Sequence, residues 1–348
     1  LQRIVHHCLE KKAGERFQSA RDIAFALQAL SGSGSGAVGV LPGPAAHRPL
    51  SRARLGLIAV AAIACIGIVA VAAYMAGGRE TGTRPPYLTR LTFDRGTVRS
   101  ARFTPDGKTI VYGAAWNGEP ITIFQTRLGS PESMRLPLPA SDVLAVSSSG
   151  EMAISIGRRF DNWVSEGTLA TAPLVGSSYK EILEHVSAAD WSPDGAALAI
   201  VRRMDGKDRL EYPAGHVLYE TTGYVSHPRV SPAGDAVAFL DHPVYGDNRG
   251  SVALVTTSGK KTTLTPDWGF EEGLAWSPGG DEIWFTASGE SERSPLSAVT
   301  RAGQVRKIWS APSDLTILDV APDGRALMTA TAQRTHTYWL GPGDSGER

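Results

Sequence analysis

Short apolar runs alternate with turn-forming residues over the last three quarters of the chain. One pair of runs covers residues 101–103 and 109–113, and a later pair covers 274–276 and 282–286. Runs rich in β-branched and aromatic side chains, bounded by Gly, Pro, Asp and Ser, are typical of strands joined by tight turns. The pattern therefore predicts an all-β domain.

A four-residue turn phrase sits between the two runs of each pair and occurs six times. Each copy begins with Thr, Ser or Ala and ends with Gly, and the copies are at residues 104–107, 147–150, 192–195, 231–234, 277–280 and 321–324. A repeat of roughly 40–45 residues with four short strands is typical of a propeller blade. The predicted fold class is an all-β six-bladed propeller over residues 87–341.

The phrase is expected to shape a hairpin turn between the first two strands of each blade. Pro presets φ, Asp accepts hydrogen bonds from nearby backbone, and Gly takes the position with φ > 0. We expect no chemistry from these residues. Phe103, Trp191 and Trp276 share one position before the phrase, so we expect them to pack between blades.

Ring closure is predicted from a count of the runs. Four runs in the fifth blade end at residues 304–309, but the last blade has only 317–320, 326–330 and 336–340. An unpaired strand edge invites association. We expect residues 87–93, an apolar run ahead of the first repeat, to complete the sixth blade.

Residues 55–75 contain no charge over 21 positions. As a helix this run is about 31 Å long, which matches the hydrocarbon core of a bilayer. Arg48, Arg52 and Arg54 precede it, and an excess of basic residues marks the cytoplasmic side. The run predicts a single-pass protein of the bacterial inner (cytoplasmic) membrane, with its N-terminus in the cytoplasm and the propeller outside.

Charge is divided unevenly along the chain. Residues 1–78 carry eight Lys/Arg and three Asp/Glu, whereas residues 79–348 carry 27 and 32. The acidic balance of the propeller argues against nucleic acid as a partner. Cys8 and Cys65 are the two cysteines. They lie before and within the predicted span, so we expect no disulfide framework.

The remaining segments read as helices, linkers and a tail. Residues 1–30 have two apolar stripes at helical spacing, residues 31–54 are rich in Gly, Ser and Pro, and residues 76–86 form a second, shorter linker. Residues 342–348 are expected to be a disordered tail. Two short helices bury too little to fold alone, so we expect them to be the end of a larger domain.

The N-terminal segment resembles the end of bacterial serine/threonine protein kinase domains. The resemblance covers residues 4–27 and is carried by Cys8-Leu-Glu-Lys11 and Arg16-Phe-Gln-Ser-Ala20. It implies that Arg16 pairs with the glutamate that ends the activation segment in kinases. Lys12-Ala13 departs from the Asp-Pro that is usual in that family.

The order of segments is also similar to kinases of this kind, with a linker, one span and a TolB-like propeller. Residues 209–213, 217–223 and 226–232 resemble propellers attached to such kinases. The resemblance implies an extracytoplasmic sensor for an unknown protein, peptide or small-molecule ligand. ATP and Mg²⁺ would serve the kinase domain. We expect no cofactor and no catalytic or metal-binding residue in this chain.

The Val-Ala-Ile-Lys strand, the His-Arg-Asp loop and the Asp-Phe-Gly that kinases use for phosphoryl transfer are missing from the 348 residues. We assign the Gly-rich residues 31–36 to the linker and expect no Gly-rich nucleotide-binding loop. We therefore expect this chain alone to be catalytically inactive.

Two polar segments are candidate binding sites. Residues 240–250 supply the first set and residues 158–163 the second; the candidate residues are Asp241, His242, Asp247, Asn248, Arg249, Arg159 and Asp161. Both segments are expected to line a mouth of the ring. The plainer interpretation of each is a solvated connecting loop in which Asp and Asn shape turns.

Two other function classes stay open. One is a propeller scaffold that assembles envelope proteins. The other is the sensor of a membrane-tethered transcription regulator, which would need a basic recognition helix, whereas residues 1–30 have mixed charge. The sequence upstream of Leu1 would discriminate the regulator from the kinase.

Overall fold

The computed structural model describes residues 87–161, 163–289 and 293–331, together with Thr337. The regular elements in these stretches are antiparallel strands. The helices predicted at residues 1–30 with Arg16, the predicted linkers at 31–54 and 76–86, the run at 55–75 and the predicted tail at 342–348 lie outside the described residues. Within residues 87–161, 163–289 and 293–331, no helix has the length and apolar character needed to cross a membrane.

The strands follow chain order within each sheet. The first sheet contains β1 (Gly96–Phe103), β2 (Thr109–Trp116), β3 (Thr122–Arg127) and β4 (Ser133–Arg135). The second contains β5 (Ser141–Val146), β6 (Glu151–Asp161), β7 (Val164–Pro173), β8 (Lys180–Trp191), β9 (Leu198–Met204), β10 (Lys207–Glu211) and β11 (Val217–Thr221).

Three further sheets complete the described part. The third contains β12 (Tyr224–Val230), β13 (Ala236–His242), β14 (Ser251–Thr256) and β15 (Lys261–Thr263). The fourth contains β16 (Phe270–Trp276), β17 (Glu282–Ser288), β18 (Leu296–Thr300) and β19 (Val305–Trp309), and the fifth contains β20 (Asp314–Val320) and β21 (Ala326–Thr331).

The second sheet joins two sequence repeats through one long strand. The first half of β8 pairs with β7, and its second half, from Val186 onward, pairs mainly with β9. His185 lies between the halves with a φ of 58°. We therefore number the repeats as repeat 1 (β1–β4), repeat 2 (β5–β8), repeat 3 (β8–β11), repeat 4 (β12–β15), repeat 5 (β16–β19) and repeat 6 (β20–β21).

The predicted turns are confirmed in all six copies of the phrase. The closing glycine has a φ between 61° and 86° in every copy. Its N–H donates to the carbonyl of the first phrase residue over 2.8–3.0 Å. Asp106 accepts the backbone N–H groups of Lys108 and Thr109 at 2.8 Å. Left-handed φ is costly for residues with a Cβ, which explains glycine at this position.

The apolar core lies between neighbouring repeats. Phe103 packs with Leu318 of repeat 6, Trp191 with Leu144 of repeat 2, and Trp276 in a cluster with residues of repeat 4. The predicted packing of these three aromatic residues between repeats is confirmed. Burying a large apolar side chain is worth about 1.5–3 kcal/mol, so these contacts hold adjacent sheets together.

The first strands of the repeats contact one another in cyclic order. Contacts join β1 to β5, β5 to β8, β8 to β12, β12 to β16, β16 to β20 and β20 back to β1. These strands surround a central channel. A turn phrase follows the last residue of each first strand, so the six phrases lie at the same end of the channel. We call this end the turn end.

The strand predicted at residues 87–93 is not formed, because these residues lie outside any strand. Leu91 packs beside Leu318 and Leu327 of repeat 6, but Tyr87 and Phe93 are exposed. Arg90 bonds locally to the carbonyl of Thr92 at 2.7 Å. A strand needs a paired ladder, and the expected partner, residues 336–340, lies outside the described residues except for Thr337.

Candidate functional site

A cavity of about 320 Å³ occupies the turn end of the channel, and all six repeats contribute to its lining. Its charged residues are Arg102, Asp190, Arg229 and Asp319. Each lies two positions before the turn phrase of its repeat. Because the phrase fixes the end of each first strand, this shared position brings the four side chains to one level of the channel.

Arg229 of β12 reaches across the channel to three other repeats. Its Nε donates to the carbonyl of Leu274 at 3.1 Å. Its two terminal nitrogens lie 3.5 Å from Asp190 and 3.5 Å from Asp319. One terminal nitrogen also donates to the carbonyl of Leu318. One guanidinium therefore joins repeat 4 to repeats 3, 5 and 6.

The two carboxylates also tie neighbouring repeats together. Asp190 accepts the N–H of Val230 at 2.8 Å, and Asp319 accepts the N–H of Phe103 at 2.8 Å. Burial raises the pKa of Asp190 against the opposing effect of Arg229. The Asp319 bond crosses from repeat 6 to repeat 1, where the first and last repeats meet.

Arg102 is the second guanidinium of the cavity. One terminal nitrogen donates to the carbonyls of Ala101 at 2.8 Å and Leu318 at 2.9 Å. Its Nε is buried and has no hydrogen-bond partner among the described residues. Burial and the neighbouring charge of Arg229 lower the pKa of Arg102 to about 10. The side chain stays cationic at neutral pH without a direct carboxylate partner in the described part of the chain.

The hairpin of β6 and β7 extends over the opposite end of the channel. Arg158 donates to Asp142 at 2.7 Å, to the hydroxyl of Ser165, and to the carbonyl of Ser187 in repeat 3 at 3.3 Å. Asp142 is fully buried and accepts the hydroxyl of Ser100 in repeat 1. The base of the hairpin is thus fastened to three repeats.

Aromatic side chains of this hairpin reach other repeats. Trp163 meets Phe270 of repeat 5 edge-on, with ring centroids 5.4 Å apart. The guanidinium of Arg99 in repeat 1 lies 4.8 Å from the ring centre of Phe160. Gly157, with a φ of 62°, lies within the register shift that bends β6. We call residues 158–161 and 163–165 the cap hairpin.

Two of the residues predicted from the sequence lie on the cap hairpin. Arg159 pairs in register with Glu166, and Asp161 pairs with Val164. Both Arg159 and Asp161 are exposed. The structure therefore places them at the covered end of the channel, away from the cavity. Their role in binding stays a prediction.

The predicted residues of the segment 240–250 separate into exposed and buried groups. Arg249 is exposed and Asp247 is half-buried, and their side chains lie 3.5 Å apart. Asp241 accepts the hydroxyl of Tyr219 at 3.1 Å and pairs with Lys261. The contacts of Asp241 with Tyr219 and Lys261 join repeats 3 and 4. None of the three lines the cavity.

His242 is fully buried and stacks on Tyr224, with ring centroids 3.9 Å apart. Its Nδ1 lies 3.1 Å from the carbonyl of Arg249, which requires a proton on Nδ1. Its Nε2 then accepts the hydroxyl of Ser226 at 2.8 Å. Burial lowers the pKa of His242 to about 4, so the ring is neutral and structural at pH 7.

Asn248 belongs to the same buried cluster. Its Oδ1 accepts the hydroxyl of Tyr224 at 3.1 Å, and its carbonyl accepts the N–H of Glu271 at 3.0 Å. Its Nδ2 and both carboxyl oxygens of Glu271 are buried without hydrogen-bond partners in the described stretches. Burial and the charges of Asp241 and Asp267 raise the pKa of Glu271 to about 9.

The residues that line the cavity were missed by sequence reasoning. Arg102, Asp190, Arg229 and Asp319 each stand in a short apolar run. Their shared position before the phrase is the signal that identifies them, because charged residues recur there in four of the six copies.

The arrangement of the cavity allows binding by charge and shape. In residues 87–161, 163–289 and 293–331, no group of three His, Cys, Asp or Glu residues is placed to hold a metal ion. The cavity combines two guanidinium groups and two carboxylates with a smaller apolar part of its lining.

Comparison with solved structures supports the fold. The chain resembles TolB from Acinetobacter baumannii at 21% identity and a TM-score of 0.50, covering 62% of this chain and 55% of that protein. It also resembles a putative TolB from Agrobacterium tumefaciens at 16% identity and a TM-score of 0.54, covering 68% and 91%. The described domain therefore has a TolB-like β-propeller fold.

These similarities show the fold alone. The chain spans about half the length of the Acinetobacter protein. No protein-family model and no curated protein matches the sequence.

Proposed function

We propose that the chain contains the extracytoplasmic, ligand-binding propeller of a membrane-anchored serine/threonine protein kinase. The observation that carries this proposal is the cavity at the turn end, whose lining comes from all six repeats. Small-molecule sites are usually concave and carry a few fixed polar groups that orient the ligand. The kinase-like residues 4–27 and the uncharged run at 55–75 support the remainder.

The propeller is proposed to have six blades. The cyclic contacts of the first strands support this count. The bond from Phe103 to Asp319 supports closure between repeats 6 and 1. Residues 336–340 are proposed to provide the third strand of the last blade.

Signalling by this domain has a physical basis in Arg229. Its guanidinium contacts groups on repeats 3, 5 and 6. A ligand that competes for Asp190 or Asp319 would therefore change contacts between several repeats at once. A ligand shifts an equilibrium only through such differential contacts.

The orientation is tested by a reporter fusion. We expect a reporter that is active only in the periplasm to give signal when it is fused after Arg348. The physical reason is the basic flank before residue 55. The matched variant replaces Arg48, Arg52 and Arg54 by glutamine and should lose part of the signal. Activity of a cytoplasm-specific reporter at Arg348 would contradict the proposed topology.

A protein-interaction scaffold is the second candidate, and the cap hairpin favours it. Phe160 is 43% and Trp163 50% exposed at the covered end of the channel. Aromatic residues are enriched in protein interfaces. This candidate requires neither a kinase domain nor a ligand in the cavity.

Phosphorylation discriminates the two candidates. We expect the product of the complete native gene to become labelled with radioactive ATP and magnesium, and the 348-residue chain alone to remain unlabelled, since it lacks the Val-Ala-Ile-Lys, His-Arg-Asp and Asp-Phe-Gly motifs of phosphoryl transfer. Label on the 348-residue chain would contradict the expectation that this chain alone is catalytically inactive. Absence of label on the complete product would favour the scaffold.

A further inference from the structure

The four charged groups of the cavity differ in how completely their hydrogen-bonding atoms and charges are paired. Arg229 has a carboxylate near each terminal nitrogen, at 3.5 Å. Arg102 bonds only to main-chain carbonyls, and its buried Nε has no acceptor in the described part of the chain. A buried donor without an acceptor is rare and calls for an explanation. Arg102 lines the cavity and has no carboxylate partner in the described part of the chain, so an anionic ligand would supply the opposite charge.

The charges of the cavity decide what kind of anion fits. Two arginines and two aspartates sum to zero, so a carboxylate alone would leave the cavity with a net negative charge. Burying an unbalanced charge is unfavourable. A ligand that also carries an ammonium group keeps the balance. Asp190 and Asp319 can accept that ammonium, since each holds Arg229 only at 3.5 Å.

Most of the accessible cavity surface is polar, and apolar side chains cover the rest of the wall. Val146, Val230 and Val320 line it together with the turn prolines Pro232, Pro278 and Pro322. The volume of about 320 Å³ is at the small end of the range for ligand pockets. A small molecule with an apolar side chain fits both the size and the lining.

We propose that the cavity binds a small zwitterion of the α-amino acid class with an apolar side chain. Its carboxylate pairs with Arg102, its ammonium group pairs with Asp190 or Asp319, and its side chain lies against the valines and prolines. This inference rests on the proposed function for the site, because it names the ligand class of the same cavity. Its test does not depend on the orientation of the chain in a membrane.

Calorimetric titration of the purified full chain with L-leucine, L-isoleucine, L-valine and L-phenylalanine provides the first test. At least one of them should bind with a dissociation constant below about 1 mM, a modest affinity for a ligand of this size. N-acetyl-leucine lacks the ammonium group and leucinamide lacks the carboxylate. Each should bind at least tenfold more weakly than leucine if leucine is the ligand, with the corresponding pair used for another amino acid.

Substitutions test whether the amino acid binds in this cavity. Arg102→Gln removes the charge and should weaken binding at least tenfold. Val320→Phe fills the cavity without altering a charge and should abolish binding. Arg306→Gln is the matched control, because Arg306 pairs with Glu282 through Nη2 at 2.6 Å outside the cavity lining. It should leave the affinity unchanged. Circular dichroism of each variant shows whether it is folded.

Three results would overturn the inference. The first is no binding of any of the four amino acids. The second is equal binding of the acetylated or amidated analogue, which would show that a zwitterion is not required. The third is unchanged affinity in Val320→Phe, which stays informative if Arg102→Gln does not fold. None of these results bears on the reporter or phosphorylation tests of the proposed function.

Discussion

Replacing Asp142 by alanine is expected to destabilise the full chain by about 3–5 kcal/mol, the usual cost of removing one partner of a buried ion pair. The carboxylate is fully buried and accepts Arg158 at 2.7 Å. It also accepts the hydroxyl of Ser100. Its loss leaves a guanidinium and a hydroxyl without their acceptor at the base of the cap hairpin. Urea unfolding followed by tryptophan fluorescence measures the change.

The control for this experiment is Asp205→Asn, because Asp205 has a φ of 52° and asparagine, unlike alanine, tolerates this left-handed conformation. Asp205 pairs with Arg209 at 3.6 Å, but its side chain is 85% exposed. Exposed ion pairs contribute about 0–1 kcal/mol, so this variant should be close to the wild type. Equal unfolding midpoints for the two variants would contradict the role assigned to Asp142. Asp142→Asn keeps the shape and should fall between the two.

Replacing Glu271 by glutamine is expected to stabilise the chain by roughly 3 kcal/mol at pH 7. Its pKa is about 9 in the folded chain, mainly through burial, against an ordinary value of 4.5. Above pH 4.5 the unfolded chain loses this proton while the folded chain keeps it. Folding stability therefore falls by about 1.4 kcal/mol per pH unit between pH 4.5 and 9. Glutamine does not ionise and removes this loss.

The measurement is the free energy of unfolding of both proteins between about pH 5 and 8. The difference between them should grow as the pH rises. His242 also titrates in this window, because burial lowers its pKa to about 4 and only the unfolded chain takes up a proton below pH 6.5. This proton uptake lowers the free energy of unfolding of both proteins equally at acidic pH. It therefore cancels when the two free energies are subtracted.

Glu282→Gln is the matched control for Glu271. The hydrogen bond from Arg306 lowers the pKa of Glu282, so its stabilising effect is present above the ordinary pKa of 4.5 and is lost as the pH falls below that value. Its difference from the wild type should be constant between about pH 5 and 8. A constant difference for Glu271→Gln as well would show that Glu271 is ionised in the folded chain.

The repeated turn phrase made most of the fold predictable. Pro, Asp and Gly act through local backbone geometry, so six copies predicted six turns without knowledge of distant contacts. The strands flanking Thr104 and Ser277 agree with the prediction for the same reason. The inter-repeat packing of Trp191 and Trp276 followed from their common position.

The candidate site depended on contacts that the sequence does not display. Arg229 meets Asp319, 90 residues away, only because the first strands surround one channel. Polar residues in the segment 240–250 suggested an exposed surface, yet His242 and Asn248 are buried among Tyr224 and Glu271. A polar side chain in an apolar run is equally compatible with a buried network and with solvent exposure until the fold is known.

The edge strand at residues 87–93 shows a related limit. The apolar run was compatible with a strand, but pairing needs a partner strand whose position depends on the rest of the propeller. Leu91 does pack against repeat 6. Local bonds such as that from Arg90 to Thr92 take the place of a ladder.

Because β8 belongs to both repeat 2 and repeat 3, neighbouring repeats are not all joined by the same kind of bond. Its continuous main chain carries ladder bonds on both sides, so repeats 2 and 3 can separate only by rupturing paired backbone. Between repeats 6 and 1, each hydrogen bond in the described stretches involves a side chain, as with Arg102, Asp319 and Arg325. Such bonds exchange partners without unravelling a sheet. Repeats 2 and 3 are therefore joined by continuous backbone, whereas repeats 6 and 1 are joined, beside the cavity, by side-chain bonds that can open and re-form.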